Sequence, residues 1–343
     1  MVDYLPDWKG FKVDKEQVYL VPHALIGGLF LLSVFPKVSE PLRLKFQISA
    51  HVVLSVLFSL AAPWFLKATI KGNFTSVHGF IQAFCASLHV GAGYFLWKTQ
   101  KLGKPERSAI FARVLSSFIC LIFRLFAYMH IIGKSAKGLE LSNQYIYCVI
   151  FTDGLWFFSE CVRMYRTSKT NQDEIEAMVK RTTLWVEGKG TFYIENAFYL
   201  DAGLTLVYAI IHISFPQHVL SLILKPENKL DSHHYLWCRL FGALHLMPVI
   251  TSMNARYYSP EMQTAYIASR LLTQCTVFLL NIYGHWILTV YSANHITAFM
   301  LSGFFTSFLF SAFHRIHKVY FGNEVEEEII YAEPVEGSDK KTD

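Results

Sequence analysis

The sequence predicts an all-α integral membrane protein, a polytopic chain that crosses the bilayer about nine times. Three observations lead there. Of its 343 residues, 53% are hydrophobic and only 17% charged, where soluble domains carry about 25% charged residues. The apolar residues gather in blocks of roughly 17 to 25, the length a helix needs to cross a hydrocarbon core of about 30 Å. The blocks do not alternate polar with apolar as barrel strands must, so helices remain as the way to satisfy peptide groups away from water.

In chain order the blocks are 20–39, 48–66, 77–97, 110–132, 145–165, 198–218, 235–253, 265–289 and 295–313. Ahead of them, residues 1–19 form a charged tail with Asp3, Asp7, Lys9, Lys12, Asp14, Lys15 and Glu16. It lacks the basic head, short apolar centre and small-residue site of a removable signal peptide. The blocks group into a first membrane unit of five helices (20–165), a cytosolic linker (166–197), a second unit of four helices (198–318) and an acidic cytosolic tail (319–343). In the linker Ile175, Met178, Val179 and Thr182 keep helical spacing, which suits either an interfacial amphipathic helix or a solvated connection.

All six cysteines (Cys85, Cys120, Cys148, Cys161, Cys238, Cys275) fall inside the blocks, where they pack as small apolar groups and imply no disulfide framework or zinc ribbon. The net charge of +5 is spread over loops without a dense basic run, so no nucleic-acid partner is expected. There is no nucleophile elbow, phosphate-cradling loop or dinucleotide fingerprint, and no cofactor is called for.

Charge also selects an orientation. With the N-terminus lumenal, the cytosolic loops carry Lys37, Arg43 and Lys45, then Lys98, Lys101, Lys104 and Arg107, then Arg166, Lys169, Lys180, Arg181 and Lys189. The lumenal loops carry fewer, namely Lys67, Lys71, Lys134, Lys137, Lys225 and Lys229. The positive-inside bias therefore places the C-terminus in the cytosol. The sequon Asn73-Phe74-Thr75 then lies lumenally, as a glycosylation acceptor or as a chance match in a very short loop. The chain ends in Lys340-Lys341-Thr342-Asp343, which resembles the dilysine signal by which coat-protein retrieval machinery returns membrane proteins to the endoplasmic reticulum. Such signals are receptor-read addresses, so the expected location is the endoplasmic reticulum membrane.

The third to fifth blocks resemble the seventh to ninth. Aligning Ala86-Ser87-Leu88-His89 with Gly242-Ala243-Leu244-His245 also sets His78 against His234. After a one-residue slip Cys120, Phe123, Leu125, Tyr128 and His130 meet Cys275, Phe278, Leu280, Tyr283 and His285, with Arg113 near Arg270. A tandem four-helix repeat follows, with Phe35-Pro36 and Phe215-Pro216 closing the leading helix of each half and one helix extra in the first. The third and seventh blocks are an even number of crossings apart, so the halves run parallel about an axis along the membrane normal.

In the second unit, Phe215-Pro216 is followed by Arg239-Leu240-Phe241-Gly242-Ala243-Leu244, a basic link and two further helices. That pattern resembles the DoxX-like group and the tumour-suppressor-inducible four-helix membrane proteins over 200–318, and Ala83 stands where the first unit would need the Arg. One DoxX-like member is an endoplasmic-reticulum chaperone for receptor assembly. The resemblance therefore implies a helper of other membrane proteins and carries no catalytic residues.

Charged side chains inside a membrane cost about 2.5 to 3.5 kcal/mol each on insertion scales and need a partner or a purpose. Arg124 and Asp153 sit equally far from the loop joining their helices, so antiparallel packing puts them at one depth. Leu279 replaces Arg124 in the second half, and the ninth block has no carboxylate, as expected for a pair lost together. They form either a structural ion pair, the preferred reading, or part of a proton or substrate path. Arg113 and Glu160 lie nearer the cytosolic ends, where Arg can snorkel. The matched histidines His89 and His245, and His130 and His285, bond neighbouring helices or, less simply, relay protons or bind metal. The clusters His233-His234 and His314-Arg315-Ile316-His317 fall on opposite faces, against a di-iron lipid enzyme.

The functional expectation is thus a non-enzymatic resident of the endoplasmic reticulum that assists client or accessory membrane proteins through helix contacts, with membrane lipids around it. A transporter or channel for a small solute or lipid is the alternative, and a lipid-modifying enzyme the third.

Overall fold

The computed structural model describes residues 20–70, 74–103, 106–132, 143–168 and 194–321. These form twelve helices: α1 (Leu20–Val34), α2 (Glu40–Phe58), α3 (Ala62–Thr69), α4 (Ser76–Leu102), α5 (Arg107–Ile132), α6 (Asn143–Ser168), α7 (Ile194–Ser214), α8 (Pro216–Ile223), α9 (Ser232–Leu244), α10 (Leu246–Ala255), α11 (Pro260–Trp286) and α12 (His295–Phe321). Among the described residues there is no named strand. An antiparallel bridge joins Leu224 to Tyr291.

Local chemistry sets many of the boundaries. Pro41, Pro63, Pro216 and Pro260 open α2, α3, α8 and α11, positions where the missing N–H has no partner to lose. Thr75 and Asp231 cap α4 and α9, each with a histidine three residues on, His78 and His234, closing a capping box. Gly103, at φ 63°, ends α4 in the left-handed conformation that glycine adopts without penalty.

Among the described residues seven segments are long and apolar enough to cross a membrane: Ser76–Leu102, Arg107–Ile131, Tyr145–Thr167, Asn196–Ser214, Ser232–Ala255, Pro260–Trp286 and His295–Lys318. The first two expected blocks fall short of that standard. Helix α1 has 15 residues, and α2 is charged at its start by Glu40, Arg43 and Lys45. The block expected at 48–66 is not one helix, because the chain leaves α2 at Ser59 and re-enters at Pro63. In the block at 235–253, Pro248 has no N–H to offer the carbonyl of Leu244. The helix is interrupted at His245 into α9 and α10 but continues as one apolar segment.

The order of a long helix, an eight-residue helix and three further long segments occurs twice, from α2 to α6 and from α7 to α12. In this order α2 takes the place of α7 and Pro63 that of Pro216, while Phe35-Pro36 and Phe215-Pro216 follow directly on the ends of α1 and α7. Packing between the halves is reciprocal, since α4 lies on α11 while α9 and α10 lie on α5. Close backbone approach needs glycine at one of these seams and at the contact of α7 with α9. A Cβ on Gly91 would come within 2.0 Å of Thr273 Oγ1, and one on Gly242 within 2.9 Å of the Ala209 carbonyl.

Helix α1 stands outside the doubled order and wedges between α2 and α6. Phe30 stacks on Trp156 and meets His51 edge-on, and His23 Nδ1 is 3.3 Å from Thr152 Oγ1. Arg43 hydrogen-bonds the carbonyls of Ser33, Phe35 and Pro36, and Arg166 that of Val34, which satisfies the end of α1. No such wedge lies between the corresponding α7 and α12 among the described residues. There α12 packs chiefly on α11 and only brushes α7. Large side chains such as Phe126, Met129, Leu279 and Phe304 project outward exposed, as a lipid-facing surface requires.

Candidate functional site

Polar contacts inside the helices fall into four groups. Arg124 Nε lies 3.4 Å from Asp153 Oδ2, and its guanidinium sits 4.4 Å from the Trp237 ring across the two halves. Arg113 Nε donates to Glu160 Oε1 at 3.0 Å, with both side chains buried, so Arg113 turns inward instead of snorkelling. Arg163 on the next turn reaches Glu40 at 3.3 Å and Gln47 at 3.1 Å, tying α6 to α2.

The second half has its own ion pair, which the sequence reading missed. Arg270 forks onto Asp201 through Nε at 2.9 Å and Nη2 at 2.8 Å, and Nη2 also donates to Thr205 at 2.9 Å. Ser252 donates to the same carboxylate and touches Tyr266. A carboxylate in a span containing no other charge was the available signal.

The four matched histidines do not converge. His89 Nδ1 meets His51 Nδ1 at 3.0 Å, so one ring donates and the other accepts. His245 donates to the Phe241 carbonyl one turn back. His130 is exposed at the end of α5, and His285 stacks on His295. Asn73, Lys340, Lys341 and the linker stretch 169–193 lie outside the described residues.

The two capping boxes meet each other. His78 Nε2 is 2.9 Å from Asp231 Oδ2, His234 Nδ1 is 2.8 Å from Oδ1, and the two rings lie 3.9 Å apart. Burial pushes the Asp231 carboxyl up, but hydrogen bonds from His234 and His78 outweigh it and hold the group well below the usual carboxylate range. Among the described residues these three are the group whose ligand atoms, all within 4.8 Å, could hold a metal ion. The Nδ1 atoms of the two histidines face the backbone N–H groups of their own caps, Thr75 and Asp231, and among the described residues His234 Nε2 has no hydrogen-bond partner.

Between α7 and α12 there is a cavity of about 540 Å³, within the size range of small-molecule sites. Exposed Leu204, Val207, Leu301 and Phe304 line it on α7 and α12, so it opens sideways onto the lipid-facing surface. One end is closed by the Leu224–Tyr291 bridge and the bond from Lys225 N–H to the Val290 carbonyl. Phe80 and Phe84 of α4 contribute to the wall. Most polar side chains in it are engaged: Gln274 with Ser302 at 2.9 Å, Asn281 with Tyr291 at 2.6 Å, and Thr205 with Arg270.

Seven membrane-length apolar helices, an outward apolar surface and a cleft within the helices define a helical multi-pass membrane protein. Residues 45–313 match the family described as "Domain of unknown function (DUF8292)", and the chain belongs to that family. No curated protein and no solved structure matches it.

Proposed function

We propose that the protein resides in the endoplasmic reticulum membrane and takes a lipid from the bilayer into the cleft between α7 and α12. The single observation that carries this is a largely apolar cavity of about 540 Å³, open sideways and closed at one end. A bilayer fills such a space with whatever apolar body fits it best. In this reading α1 and α2 complete nine crossings, supported by the exposed apolar Val21, Leu25, Val52 and Val56 on their outer faces. Reciprocal packing of the halves supports the tandem parallel repeat, and the C-terminal lysines support residence in the endoplasmic reticulum and a cytosolic tail.

The test is photo-crosslinking of membranes containing the full chain with lipids bearing a photoreactive acyl chain, with adducts mapped by mass spectrometry. Adducts on α7 and α12, lost on Val207→Trp, support the reading. Uniform labelling of the whole outer surface overturns it.

A second reading, assistance to client membrane proteins by helix contact, has one observation of its own. In the first half the corresponding space is filled by a helix, α1. A photoreactive residue at Leu204 separates the two, by yielding lipid adducts or a crosslinked polypeptide.

A further inference from the structure

Three imidazoles line the cleft, those of His212, His245 and His295, and the first two have hydrogen-bonding states set by their own helices. His212 Nδ1 lies 2.8 Å from the Tyr208 carbonyl, and His245 Nδ1 lies 2.8 Å from the Phe241 carbonyl. A carbonyl oxygen only accepts, so each Nδ1 carries the hydrogen, and in the neutral ring the other nitrogen is an acceptor. Both rings line the cavity, and both pack against Tyr208 and Phe241, which locks their orientation and brings them to one region of it. Among the described residues neither Nε2 has a hydrogen-bond partner. Gln274, Asn281 and Thr205 each hold a partner within the protein, and the two Nε2 atoms are acceptors that the cleft offers an apolar body, on the same lining as Tyr208 and His295.

We infer that the cleft selects a neutral lipid carrying a free hydroxyl, such as a sterol or a diacylglycerol, whose O–H donates to Nε2 of His212 or His245. This rests on the lipid-cleft reading above and adds the chemistry of the headgroup. An ester or ether in place of the hydroxyl has no hydrogen to give. It would leave the acceptor unpaired in an apolar site, which is the larger part of the discrimination.

The experiment uses full-length protein in nanodiscs and two pairs of photoreactive probes: a sterol and its 3-methyl ether, and a diacylglycerol and its acetylated triester. Within at least one pair the free hydroxyl should label the cleft about fivefold or more over its capped partner, the ratio expected from roughly 1 kcal/mol. His212→Phe with His245→Phe should remove the preference. Which pair shows it decides between sterol and glycerolipid. Equal labelling of the cleft by free and capped probes in both pairs would overturn the hydroxyl inference and leave the lipid cleft standing. No cleft labelling by any probe, in protein that elutes as a single folded species, would overturn the cleft reading itself. The comparison of capped and free probes is made on wild-type protein, so it stands whether or not the double variant folds.

Discussion

Asp201 and Arg270 form a two-pronged ion pair between α7 and α11, with Nε and Nη2 of the arginine 2.9 and 2.8 Å from the two carboxylate oxygens. Both side chains are buried, and Thr205 accepts from Arg270 while Ser252 donates to Asp201. A buried ion pair is worth little against an apolar replacement, yet each half is costly without the other.

Asp201→Leu or Arg270→Leu alone should therefore destabilise the protein by about 3–5 kcal/mol, read as a lowered Tm of purified protein in detergent. The double substitution should recover much of that loss. A double variant no more stable than either single one would show that the pair has another role.

For Arg124 and Asp153, exchange is the sharper test. Each single substitution to Leu should lower the yield of folded protein, whereas Arg124→Asp combined with Asp153→Arg should restore most of it. The contact of Arg124 with Trp237 is lost in the exchange, so the rescue should stop short by about 0.5–2 kcal/mol. A folded exchange variant that still lacks lipid labelling would assign the pair to the lipid path instead.

Gly91→Val should break the crossing of α4 with α11, since even a Cβ there comes within 2.0 Å of Thr273 Oγ1 and 3.1 Å of the Ser269 carbonyl. A cost above about 3 kcal/mol is expected, the upper range for overpacking. Gly154→Ala, whose Cβ meets nothing within 4 Å, should be tolerated. Circular dichroism melts of the two variants side by side check both.

Changing Lys340 and Lys341 to Ser should move the tagged full-length chain from the endoplasmic reticulum towards the cell surface, visible by fluorescence microscopy. Surface staining of the unaltered chain would refute the retrieval signal and, with it, the proposed address.

Depth in the membrane was readable from the chain, and direction around each helix was not. Counting from the loop between α5 and α6 put Arg124 and Asp153 at one level, and the structure brings them together. The same count offered no partner for Arg270, because Asp201 is on a helix far away in sequence. The histidine alignment set His78 and His234 as equivalent positions of two halves, and only the structure shows their rings in contact and His51 against His89. In lipid the outward residues are as apolar as the inward ones, so the 3.6-residue period that marks a buried face in water fades.

By itself the sequence determined the helical membrane class and the places where prolines, capping residues and Gly103 start or stop helices, because these depend on neighbours along the chain. The tertiary structure decided that α4 packs on α11 and α5 on α9 and α10, that Asp201 receives Arg270, and that α1 fills one half and leaves a cleft in the other. Those outcomes depend on which small residues allow backbones to approach and which surfaces interlock, and that is settled by packing in three dimensions.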